Sequence, residues 1–330
     1  MANKLSTIVE IPRITLSVVW SPFMGMMRSV LAVGTLLTLI FTSNDALFRP
    51  VLGVGNYPLC RGVESFGLFC VIPHEQLGLA KAVGVVILLL VISGVLPQLT
   101  GVLHAWVAFS VATGISIPDG GDQITSNLAL LLVPICLTDP RLNHWSRARA
   151  GSWGLQHRAG IAAVSLAALK IQVSVLYFYS MTGKMFQTEW AEGSALYYIG
   201  AGFFGPSGAL KDAFALLTDN PVISLAMSWG ALLIELLLAV TLLTPVRYRL
   251  LWFALGVSLH TGIALFLGIW SFQVAMLAAL SLLTIPAKSP RLLRRIPPSP
   301  LQVQSGLRGA ITEERTRSEK LFGSCPLGFS

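Results

Sequence analysis

The sequence predicts an all-α, polytopic membrane bundle, and three observations carry that expectation. Of 330 residues, 54% are hydrophobic and 12% charged, against about 25% charged in an average soluble protein. The mean hydropathy is +0.72. Apolar runs recur near the ~20 residues that cross a bilayer as helix, and Lys and Arg alternate sharply between the connecting loops. A transmembrane β-barrel would instead show strictly alternating segments of about ten residues.

The N-terminal residues 1–21 are expected in the cytoplasm. Met1–Thr15 lacks the short apolar core and cleavage site of a signal peptide, so the first span, 22–42, is expected to act as the targeting signal. The loop that follows holds Cys60 and Cys70, which bracket nine residues on the side expected to face outward. Thiols oxidise there, and a Cys60–Cys70 bridge is predicted. Cys136 falls inside a span and reads as a small buried hydrophobe.

The second span, 77–97, contains Val85–Ile92, apolar all round. The third and fourth, 101–117 and 124–138, are short, and a re-entrant pair there would leave the remaining sidedness unchanged. They are joined by Asp119-Gly120-Gly121-Asp122-Gln123. A helix N-cap is the favoured reading of this turn. Asp119 and Asp122 are weak metal candidates, because two carboxylates supply few of the oxygens a hard cation takes.

The fifth span, 159–181, runs into Tyr177–Tyr198, which mixes Lys184, two glutamates and seven aromatics. Such a segment is either an interfacial anchor or the rim of a cleft. The sixth, seventh and eighth spans are placed at 222–244, 250–267 and 270–286, which gives eight in all. The bundle is therefore expected over 22–286, and 287–330 is expected to be a basic, disordered cytoplasmic tail.

Charge fixes the expected sidedness. Arg141, Arg147, Arg149, Arg158, Arg247 and Arg249 fall on one side. Asp45, Glu64, Asp119, Asp122, Glu189, Glu192, Asp212 and Asp219 fall on the other, beside fewer cations. Both termini are then expected in the cytoplasm. The net charge of +8 sets topology and implies no nucleic-acid partner, because the basic residues lie between and after the apolar runs.

Few ionisable groups fall inside the spans: Lys170, Glu235 and His260 near their middles, with Arg28, Lys81 and His104 nearer the ends. Such groups face a bundle interior and pair with one another, and Lys170 with Glu235 is the expected pair. His260 leads toward the outer face, the face of Lys184.

At these residues the chain resembles the HTTM-domain membrane family, which includes the vitamin K-dependent γ-glutamyl carboxylase. The matching pattern is Tyr179-x-x-x-Gly183-Lys184, then Trp190-Ala-Glu-Gly193, Glu235, and His260 leading to Phe272 and Met276-Leu277. Asp119-Gly-Gly-Asp122-Gln123, Leu137-Thr-Asp139-x-Arg141 ending in His144-Trp145, and the paired outer cysteines resemble the sporulation-delaying protein B branch. That resemblance implies a membrane factor that, with a small co-maturation protein, handles a toxin-precursor peptide in producing a secreted antimicrobial peptide.

The carboxylase places a catalytic base at the lysine position but has a lysine pair there. Here Lys184 is followed by Met185, so the reaction does not carry over. Three readings follow. The first is a maturation factor whose outer cleft is lined by Lys184, His260, Trp190, Glu192, Tyr197, Tyr198, Phe203 and Phe204. The second is an enzyme with Lys184 as base and His260 as donor, acting on a peptide or a quinone. The third is an immunity or transport protein. The sequence names no cofactor.

Overall fold

In a computed structural model, residues 19–146, 153–202 and 205–285 are described, the side chains of 153–156 excepted. Each expected span coincides with a helix, and the described residues contain no strand, only isolated bridges. The chain is an all-α polytopic bundle. Among the described residues, six helical stretches are long and apolar enough to cross a membrane: Pro22–Phe41, His74–Ser93, Gly120–Thr138, His157–Met185, Pro221–Ala239 and Val246–Leu267. The third and eighth expected spans are the helices Pro97–Gly114 and Trp270–Thr284. Phe203, Phe204 and the tail 287–330 lie outside the described residues.

Helix α1 (Pro22–Phe41) starts where Ser21 accepts a hydrogen bond from the Met24 amide and Pro22 occupies the first turn, where its missing N–H costs nothing. A four-residue helix, α2 (Asn44–Leu47), and another, α3 (Leu68–Val71), flank the loop closed by the Cys60–Cys70 disulfide. Then α4 (Leu77–Ser93) turns through Gly94, at φ 82°, into α5 (Pro97–Gly114). Helix α6 (Gly120–Thr138) follows, and α5 and α6 approach so closely that a Cβ on Gly101 would overlap the Cys136 side chain.

The long α7 (Trp153–Met185) has 33 residues, about 50 Å at 1.5 Å per residue. That exceeds the ~30 Å hydrocarbon layer, so its ends project beyond it. Between α7 and the next long helix, the expected loop is a small helical cap: α8 (Thr188–Ala191), α9 (Ala195–Ala201) and α10 (Ala209–Thr218). Helix α11 (Pro221–Ala239) is capped by Asn220, whose side chain accepts from the amides of Val222 and Ile223. It stops short of the expected 244, because two 3₁₀ turns, Thr241–Leu243 and Val246–Tyr248, surround Pro245, whose ring cannot continue a helix. Helix α12 (Arg249–Leu267) turns through Gly268, at φ 75°, into α13 (Trp270–Thr284).

Two apolar clusters share α1. One joins α1, α6, α7 and α13 through Leu31, Leu128, Leu169 and Leu280; the other joins α1, α4 and α5 through Leu39, Leu88 and Val107. The flanks of α11 and α12 leave Leu225, Leu233, Leu250 and Leu251 exposed, as a surface solvated by lipid tails permits.

Candidate functional site

Lys184 lies in the last turn of α7, and Ser180 sits one turn earlier on the same face, since residues four apart align on a helix. Helix α11 packs alongside and brings Glu235 against them. Lys184 Nζ is 2.5 Å from Glu235 Oε1 and donates to Ser180 Oγ at 2.7 Å. Ser180 Oγ in turn donates to Glu235 Oε1 at 3.0 Å. The three groups form a closed triangle at the end of the bundle that the charge bias assigns to the outside. Glu235 is 5% exposed. Its second oxygen, Oε2, is buried without a partner.

Trp190, on α8, stands 5.4 Å from the Lys184 ammonium, measured to the ring centroid, a cation–π contact. A cleft of ≈ 680 Å³ opens above this cluster, bounded by α7, α8 and α9 and lined by Ser180, Lys184, Gln187, Glu189, Trp190 and Tyr198. The cap is held onto α11 at Gly193, whose φ of 79° suits glycine. The Gly193 carbonyl accepts from both Ser224 Oγ at 3.1 Å and Ser228 Oγ at 3.2 Å.

His260 does not line the cleft. It is buried in α12, with Nε2 2.9 Å from the Tyr177 hydroxyl and its ring 5.2 Å from that of Phe272. Tyr177 is two turns below Lys184 on α7, so the histidine lies beneath the cleft and is reached through the tyrosine. Of the expected lining residues, Trp190 and Tyr198 border the cleft, while Glu192 and Tyr197 are exposed and do not.

The expected Lys170–Glu235 pair is not formed. Lys170 lies fourteen residues before Lys184 on one helix, a separation of roughly 21 Å. Counting residues along α11 placed Glu235 near mid-membrane. The cap lifts the start of α11, so its fourth turn meets the end of α7. Lys184, the base of the second reading, donates here to Glu235 and Ser180.

Asp119 and Asp122 form a capping box. Asp119 Oδ1 accepts from the amides of Gly121 at 2.7 Å and Asp122 at 2.9 Å, and Asp122 Oδ2 accepts from the Asp119 amide. Thr38 and Ser271 donate to the remaining oxygens and tie α6 to α1 and α13. These carboxylates are occupied as caps, and the described residues contain no cluster of three or more metal-ligating side chains.

At the opposite end, Asp139 and Arg141 form a buried ion pair at 2.7 Å, and Arg141 also donates to the His144 carbonyl. Arg28 on α1 lies 3.3 Å from His144 Nδ1 and donates to Thr100 Oγ1 at 2.5 Å. The His144 ring fills the space left by Gly25 and Gly94. Burial, with Arg28 and Arg141 nearby, holds the His144 imidazole down at about 4. The Asp139-x-Arg141-x-x-His144 motif therefore clamps the α6 end to α1, α4 and α5.

Comparison with known proteins places this arrangement in a family. Residues 131–287 match the HTTM domain. Sporulation-delaying protein SdpB of Bacillus subtilis (strain 168) is 30% identical over 275 residues, 82% of this chain and 83% of that protein. The chain belongs to the HTTM family, in the sporulation-delaying protein B branch. The uncharacterized protein YitO of Bacillus subtilis (strain 168) is 34% identical over 277 residues, 82% of this chain and 87% of YitO. No solved structure matches. The HTTM match spans α7 through α13 and so contains Ser180, Lys184, Glu235 and His260. Sequence reasoning missed Ser180, Tyr177 and Glu189. The one available signal was Ser180-x-x-x-Lys184, a helical i, i+4 spacing.

Proposed function

We propose that this HTTM protein is an integral cell-membrane factor in producing a secreted, sporulation-delaying-type peptide toxin, with a precursor peptide and a small co-maturation protein as partners. Likeness to sporulation-delaying protein B over 82% of the chain carries the reading. The geometry supports it: a cleft of ≈ 680 Å³ falls within the range of ligand sites. It combines apolar Ala195 and Ile199, the aromatics Trp190 and Tyr198, and a charged cluster, a mixture suited to an apolar peptide with polar backbone. The cleft lies at a span end, where a membrane-tethered precursor would present its outer segment.

Deleting the gene in its own host tests this. Growth-inhibitory peptide should vanish from the medium, by bioassay and mass spectrometry, and return with the wild-type copy. Undiminished peptide in the deletion strain would refute the proposal.

A further inference from the structure

We propose that Ser180 is the nucleophile of an acyl-transfer site that cleaves a peptide bond of the precursor, with Glu235 as its general base and Lys184 as the charge that positions both. The inference rests on the proposed function, and it assigns that cleft a reaction.

Four observations carry it. Ser180 borders the cleft, so its hydroxyl is within reach of a bound chain. Its hydrogen is already directed at a carboxylate, Glu235 Oε1, 3.0 Å away, within the 2.6–3.2 Å reach of a base acting on a nucleophile. Lys184 Nζ lies 2.7 Å from the same Oγ, so a cation faces the oxygen on which negative charge grows as the proton leaves. Finally, Glu235 Oε2 is buried with no partner. That oxygen leaves the carboxylate open lone pairs beside the oxygen that Ser180 addresses.

The atoms balance without any co-reactant but water. Ser180 Oγ attacks the scissile carbonyl carbon as its proton passes to Glu235, forming a C–O bond. The C–N bond then breaks, and Glu235 returns the proton to the departing amine. Water attacks the resulting ester, giving its proton through Glu235 to Ser180 Oγ, which leaves as the hydroxyl. The products are one carboxylic acid and one amine. Trp190 and Gln187 also line the cleft, and their side-chain N–H groups are the donors assigned to the developing oxyanion. The substrate class is a peptide with apolar residues against Ala195, Ile199 and Tyr198, and a basic residue toward Glu189.

The experiment uses the full chain expressed in its host, where its partners are present, and follows the precursor in cells and in membranes isolated from them. Ser180→Ala should lower the cleavage rate per folded molecule by at least about 10³-fold, with uncut precursor accumulating and the amount of chain in the membrane unchanged. Ser180→Cys should retain measurable cleavage that iodoacetamide abolishes, while wild type is indifferent to the reagent. A merely structural serine would not produce that sensitivity. Cleavage by Ser180→Ala at the wild-type rate, or by Ser180→Cys after complete alkylation at residue 180, would overturn the assignment. Either result leaves the proposed function standing if the gene deletion still abolishes the toxin; a deletion strain that makes toxin ends both.

Discussion

Glu235 meets Lys184, the last cation of α7, at 2.5 Å, and leaves Lys170 on the same helix without it. The pairing sets the height of α11 against α7 and therefore the floor of the cleft. Lys184 keeps 27% of its side chain in contact with solvent, while Glu235 keeps 6%. The carboxylate is the member that suffers when the pair is broken.

Breaking the pair from the lysine side should be costly. Fully buried pairs lose about 3–5 kcal/mol when one partner is removed, and the partial exposure of Lys184 reduces this to roughly 1–3 kcal/mol for Lys184→Met. Adding Glu235→Gln should recover part of that loss, and a double-mutant cycle in detergent should give a coupling of at least about 0.5 kcal/mol. The same cycle between Lys170 and Glu235 should be additive. Coupling at Lys170 and none at Lys184 would contradict the observed packing.

The Cys60–Cys70 bridge should protect both thiols from alkylation in membranes until a reductant is added, read as a mass shift. Replacing both with Ser should destabilise the outer loop by about 2–3 kcal/mol and leave the cleft, built on other elements, intact.

Gly193→Ala should detach the cap. A Cβ there would meet the backbone of Leu225 at 2.9 Å, at a φ of 79°, so side-chain overlap and backbone strain add. The expected loss is about 1–3 kcal/mol, with protease sensitivity appearing in 186–220 before the rest of the bundle. Equal sensitivity of wild type and variant would refute the role given to this glycine.

Acid should loosen the opposite end. The His144 imidazole lies at about 4 in the folded chain and at about 6.5 when unfolded. The unfolded state therefore binds the extra proton first as pH falls. The stability held by neutral His144 is full above about pH 6.5 and declines as pH drops toward 4, by up to about 3 kcal/mol. Melting temperature followed from pH 7 to 4.5 should fall less for His144→Gln than for wild type, after correction for their difference at pH 7.

Labelling of single cysteines at Asn56 and Gln187 by an impermeant reagent should proceed from outside intact cells, and labelling at Ser146 should require permeabilisation. The reverse pattern would overturn the assignment of the cleft to the outer face.

Composition and periodicity determined the helical membrane class, the approximate spans and the Asp119 cap, because burial in lipid and capping are set by residues near in sequence. The cysteine pair was legible too, since its members lie only ten positions apart. Lys184, Trp190 and Tyr198 stood out as an aromatic-rimmed lysine at a span end. What lay beyond the sequence was which carboxylate meets which cation. Glu235 is 51 residues from Lys184, and the three short helices between them shift α11 along its axis by an amount no local pattern encodes. One turn of that shift, about 5.4 Å, exceeds the reach of a hydrogen bond. The tertiary fold alone decided that Glu235 closes on Ser180 and Lys184, and that His260 lies behind Tyr177, where helix packing buries it.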